Sequence, residues 1–162
     1  MENEAEIEIN FMEKACNIAF NSVNNNGGPF GCVIVNNLTN EIISEGNNNV
    51  TKTNDPTAHA EIVAIRNACK TLNTYILENC TIYSSCEPCP MCLSAIYWSR
   101  IKKIYYANTR KDAENIGFDD SHIYNEFLKP MEERNIQITQ LKTPNYMDSF
   151  ELWNNKTDKI EY

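Results

Sequence analysis

Between Ile7 and Val23 the apolar residues Ile7, Phe11, Ala15, Ile18, Ala19 and Val23 recur at spacings of three and four, the mark of an amphipathic helix face. The turn chemistry of Gly27-Gly28-Pro29 ends it. Residues 30–35 and 41–45 are short apolar runs separated by the polar stretch 36–40, which predicts a β-hairpin. A polar loop from Asn47 to Pro56 leads to a predicted helix over 58–72 with Ile62, Ile65, Ala68, Cys69 and Leu72 inward. A strand is expected at 81–83. Pro90 opens a helix to about Ser99, since its missing N–H is not needed in a first turn, and 103–107 is another strand. Beyond lie a short helix over 111–116, a turn at Gly117-Phe118-Asp119-Asp120 and a helix capped by Ser121 that ends before Pro130. A last strand over 136–141 and a helix over 147–153 complete the pattern, and strands interleaved with helices imply an α/β sheet covered by helices.

The 162 residues fit a single domain, 1–162, large enough to bury a core. No apolar run approaches the roughly 20 residues that span a bilayer, and the acidic first residues lack the pattern of a signal peptide. The seven cysteines form no regular framework, so reduced thiols and a cytoplasmic location are expected. Against 14 Lys and Arg stand 22 Asp and Glu, a formal charge of −8. That field opposes a nucleic-acid partner, whose affinity rests on phosphate neutralisation, and favours a small uncharged substrate.

Candidate chemistry sits in two stretches, Thr57-Ala58-His59-Ala60-Glu61 and Glu87-Pro88-Cys89-Pro90-Met91-Cys92. One His and two Cys are three good zinc ligands, the number a catalytic zinc keeps while a fourth position stays open. Cys89 and Cys92 stand three apart at a helix start, so their sulfurs share a face and the helix dipole favours thiolates. A zinc there would acidify a water, and Glu61 could take its proton. Other readings are a structural zinc half-site, a redox pair, or a Cys₃His zinc closed by Cys86. The Cys86, Cys89, Cys92 run also resembles part of an iron–sulfur motif, but its fourth position is Ile96. Cys16, Cys32, Cys69 and Cys80 read as core thiols and His122 as a surface or packing residue. Tyr97-Trp98 and Tyr105-Tyr106 read as core, with an interface or a ring-stacking surface as alternatives.

The H-x-E and P-C-x-x-C pair resembles the signature of the cytidine deaminase superfamily of zinc deaminases. The motifs Asp55-Pro-Thr-Ala-His-Ala-Glu61 and Glu87–Cys92 are shared by its guanine deaminase and tRNA adenosine deaminase branches. Residues 85–98, 117–124, 129–134 and 159–162 are similar to the guanine branch. The resemblance implies a three-layer cytidine deaminase-like fold with a mixed sheet of about five strands between helices. It implies zinc on His59, Cys89 and Cys92, proton transfer by Glu61, and purine binding by Asn48, Asp120, Phe30, Tyr162 and backbone N–H groups near Ala60. It further implies a homodimer whose C-terminal segment, about 143–162, is exchanged so that Tyr162 closes the partner's site. The expected reaction is guanine plus water to xanthine plus ammonia. Deamination of another base, adenosine in tRNA or cytosine, is the alternative, and a zinc-stabilised interaction scaffold is the reading outside enzymes.

Overall fold

The computed structural model describes residues 3–162. Helix α1, Glu4–Asn24, opens on a capping box. The Asn3 side chain accepts the Glu6 N–H at 2.9 Å, and the Asn3 N–H donates to the Glu6 carboxylate at 3.0 Å. The hairpin follows as β1, Gly31–Asn36, and β2, Ile42–Asn47; then come a short helix α2, Val50–Thr53, and α3, Ala60–Leu72. Strand β3, Cys80–Cys86, helix α4, Pro90–Trp98, strand β4, Lys103–Asn108, and helix α5, Arg110–Asn115, complete the core elements.

The strand order is β2-β1-β3-β4. Strand β1 is antiparallel to both neighbours, whereas β3 and β4 run parallel and α4 makes their crossover. Alternation along β1 divides the core. Cys32 and Ile34 pack with Ala60, Ala64 and Ala68 of α3 and Ile96 of α4, whereas Val33 and Val35 pack with Ala15 of α1 and Tyr83 of β3. Helices therefore cover both faces, giving three layers. Two glycines allow the close approach: a Cβ on Gly31 would stand 2.3 Å from the Ala15 carbonyl oxygen, and one on Gly46 2.2 Å from that of Ala60.

The sheet has four strands among the described residues, not five. Residues 136–141 alternate as a strand should, yet they are irregular and exposed, and a strand without a hydrogen-bonded neighbour does not hold. Leu72 and Val23 are exposed at the ends of their helices, where the core face has rotated away, and Ser22 is buried instead. Tyr97 and Trp98 point outward, and Tyr106 is about half exposed; only Tyr105 of that group joins the core, stacked on Tyr83 at 5.0 Å. Ser121 is the first residue of α6, Ser121–Leu128, and not its cap; its N–H donates to the Asp119 carboxylate at 2.8 Å.

Asparagine has a structural use here. Asn26, Asn40, Asn54 and Asn73 adopt left-handed backbone with φ of 50–61°. Asn54 and Asn73 end α2 and α3 in that conformation. Asn tolerates it better than other side chains, and this chain has only five glycines.

Residues up to Ile123 make one compact unit and Tyr124–Tyr162 a second. The second holds the end of α6, a 3₁₀ turn at Met131–Glu133 and α7, Asp148–Asn155. None of its residues is buried. No helix of the described residues is long and apolar enough to cross a membrane.

Candidate active site

The first residues of α3 and α4 build the site. His59 and Cys89 are the N-caps of these helices, both in extended backbone, and neither side chain makes a capping hydrogen bond. Both side chains instead meet each other and Cys92 at the positive ends of the two helices. The approach to His59 is pinned by Asp55, whose carboxylate accepts the Thr57 N–H at 2.8 Å and the Thr57 hydroxyl at 2.6 Å. Pro90 is the first residue of α4 and Cys92 lies two positions further along it.

His59 Nδ1 is 3.6 Å from Cys89 Sγ and 3.5 Å from Cys92 Sγ, and the three ligand atoms all lie within 4.8 Å of one another. A tetrahedral zinc with Zn–S of about 2.3 Å and Zn–N of about 2.1 Å separates its N and S ligands by about 3.6 Å. The donor set fits zinc in both chemistry and spacing. Hydrogen bonding from Cys92, and then from His59, holds the Cys89 thiol far below its usual range, down to about 4, against the opposing effect of burial. Cys92 is pushed up, by Cys89 first and burial second. The Cys89 sulfur also raises His59.

Glu61 is the second residue of α3 and is 6% exposed. Burial raises its carboxyl. Its Oε1 accepts the Ser84 hydroxyl at 3.0 Å, and its Oε2 accepts from Cys92 Sγ at 3.3 Å. Beside this group opens a cavity of about 710 Å³ that reaches His59, Glu61 and Cys89. Asn48 lines it, with its Oδ1 accepting the Val50 N–H at 3.2 Å, so that the amide nitrogen is left for the cavity. Phe30 forms another wall and meets Phe118 edge to face at 4.9 Å. Asp120 also lines the cavity; its Oδ1 is buried without a hydrogen-bond partner, and desolvation raises its carboxyl. Ala60 is the first helical residue, so no carbonyl within α3 takes its N–H.

The family model for the cytidine and deoxycytidylate deaminase zinc-binding region matches residues 5–108. The chain belongs to this deaminase family. A guanine deaminase of Bacillus subtilis (strain 168) is 52% identical to it over 153 residues, 94% of this chain and 97% of that one. An X-ray structure of guanine deaminase from Bacillus subtilis matches with a TM-score of 0.91 at 50% identity, covering 100% of this chain and 99% of that one. A tRNA-specific adenosine deaminase of Aquifex aeolicus (strain VF5) is 48% identical over 79 residues, 49% of this chain and 51% of that one.

The deaminase-family region takes in His59, Glu61, Cys89 and Cys92 and stops at the end of β4, before Asp120 and Tyr162. Tyr162 belongs to the C-terminal unit and is exposed. Cys86 stands outside the His59, Cys89, Cys92 group; its Sγ lies 3.7 Å from the Thr109 carbonyl oxygen, and burial raises it to about 11. His122 is exposed, with Nδ1 3.0 Å from the Asp119 carbonyl oxygen. Sequence reasoning missed three contributors. Ser84 gave no signal within its strand. The pairing of Glu87 with Arg110 at 2.8 Å at the cavity edge spans 23 positions, and Phe118, within the turn at 117–120 and the family-like stretch 117–124, carries no signal of its own as a cavity wall.

Proposed function

We propose that this chain is a zinc-dependent aminohydrolase that converts guanine and water to xanthine and ammonia. The observation that carries the reading is the His59, Cys89 and Cys92 triangle with a buried carboxylate against it. The near full-length likeness to a guanine deaminase directs it to guanine, whereas the likeness to tRNA-specific adenosine deaminases spans about half to two-thirds of each chain. His59 Nδ1 and the two sulfurs would hold zinc, which when bound supplies Lewis acidity that brings a water toward a pKa of about 7.

Glu61 then moves the protons. It takes one from the attacking water as oxygen joins C2 of the purine, and gives it to N3. It takes the second from the added hydroxyl and gives it to the 2-amino nitrogen, so that the C2–N bond breaks and ammonia leaves. Asn48 offers an N–H to an acceptor on the ring, and Asp120 accepts from a ring donor. Phe30 and Phe118 wall the cavity and limit water. The formal charge of −8 supports a free base over a tRNA.

Tyr162 is assigned to the site of a second copy in a homodimer that exchanges C-terminal segments. The support is a C-terminal unit without a buried residue that exposes Leu128, Leu141, Phe150 and Leu152. A reduced cytoplasmic setting accords with seven free thiols.

The test is ammonia release from guanine, adenine, cytosine and a tRNA anticodon stem-loop by zinc-loaded protein. Release from guanine alone supports the reading. Release from the stem-loop without guanine turnover moves the chain to the adenosine branch.

A further inference from the structure

We propose that Ser84 is the positioning residue for Glu61, fixing one carboxylate oxygen so that only the other handles protons. This rests on the guanine-hydrolysis reading above.

Ser84 is 2% exposed, in the interior of the sheet. Its backbone is paired on both sides, with Cys32 on β1 and Tyr106 on β4, so the hydroxyl projects from an element that cannot shift independently. A hydroxyl has one proton, and here it goes to Glu61 Oε1 at 3.0 Å.

The carboxylate it meets needs such a restraint. A Glu side chain has three rotatable bonds and two equivalent oxygens, and a proton carrier must offer the same oxygen first to water and then to N3 and the amine. In the structure the second oxygen, Oε2, faces Cys92 Sγ at 3.3 Å. A cysteine that ligates a metal does so as a thiolate and has no proton to donate. Oε2 is then released for proton traffic, while the bond from Ser84 to Oε1 persists. The two oxygens thereby acquire separate tasks, one anchored by β3 and one working toward the cavity. Misplacement of a reacting group by about 1 Å costs on the order of 10²-fold in rate, which sets the scale of the expected effect.

Threonine and valine are nearly isosteric and differ in the hydroxyl, so Ser84→Thr and Ser84→Val separate hydrogen bonding from packing. Zinc content and KM for guanine should stay close to wild type in both. The kcat should lie within a few-fold of wild type for Ser84→Thr and fall by about 10- to 100-fold for Ser84→Val. Ser84→Ala, with the same readouts, serves where the larger side chains prevent folding, and should match the valine variant. Equal kcat in the threonine and valine variants, or a full-rate alanine variant, overturns the proposal while leaving guanine hydrolysis intact. A zinc-loaded wild type that leaves guanine untouched removes the reading of function and this role with it.

Discussion

His59 and Glu61 are two positions apart and would point to different sides in the middle of a helix. At the start of α3 they converge, because His59 is still extended while Glu61 is already helical. Cys89 and Cys92 repeat the device on α4. This part of the site was legible because ligand chemistry and spacing are local properties of the chain. Ser84 was not, since its bond to Glu61 spans 23 positions and a serine in a strand carries no pattern. Asn48 became a candidate only through resemblance; the structure adds a physical reason, an Oδ1 held by the Val50 N–H with the nitrogen left to the cavity. Asn48→Ala is expected to lower kcat/KM for guanine by about 10- to 100-fold, one lost hydrogen bond to a buried polar group, with zinc content unchanged. Steady-state kinetics beside metal analysis check this. An unaltered kcat/KM would remove Asn48 from the purine site.

At the scale of elements, α1, α3 and the hairpin were readable because their apolar periodicity matches the faces they bury. The strand expected over 136–141 failed because pattern alone supplies no pairing partner. The asparagine-rich turns carry a testable cost. Asn73→Gly should leave stability within about 0.5 kcal/mol, while Asn73→Ala should lose about 1–2 kcal/mol by forcing a Cβ-bearing, non-polar residue into the left-handed conformation. Denaturant melts of the two variants decide it. A second test concerns the attachment of α1 to β4. Glu8 accepts from Tyr105 and from Lys103, and these bonds, Tyr105's first, hold its carboxyl below the usual glutamate range. A folded-state value below the unfolded one means that the contribution is complete above the ordinary glutamate pKa and disappears as pH falls through the folded value. The Tm of Glu8→Gln should therefore fall below wild type near neutrality and approach it in acid. A constant difference across that range would contradict the assignment.

For the whole molecule, the acidic balance and the unburied C-terminal unit bear on partners. A homodimer with exchanged segments should sediment at twice 18.6 kDa. Co-expression of Glu61→Ala with Tyr162→Ala should restore guanine turnover that each variant lacks alone, because one mixed site then has both residues intact. A 18.6 kDa monomer, or absence of recovery in proven mixed dimers, would return Tyr162 to its own subunit's site or to no role. In the sequence the exchanged dimer is implied by the family resemblance alone, since apolar periodicity along one chain carries no information about a second copy.

The most direct measurement is xanthine formation from guanine by wild type and Glu61→Gln at matched zinc content. The glutamine keeps the size of the side chain and an acceptor for Ser84 but cannot carry the proton. Zinc should be bound equally by both, with turnover reduced by at least about 10²-fold in the variant. Xanthine made at the wild-type rate by Glu61→Gln, or none made by the zinc-loaded wild type, would contradict the proposed reaction.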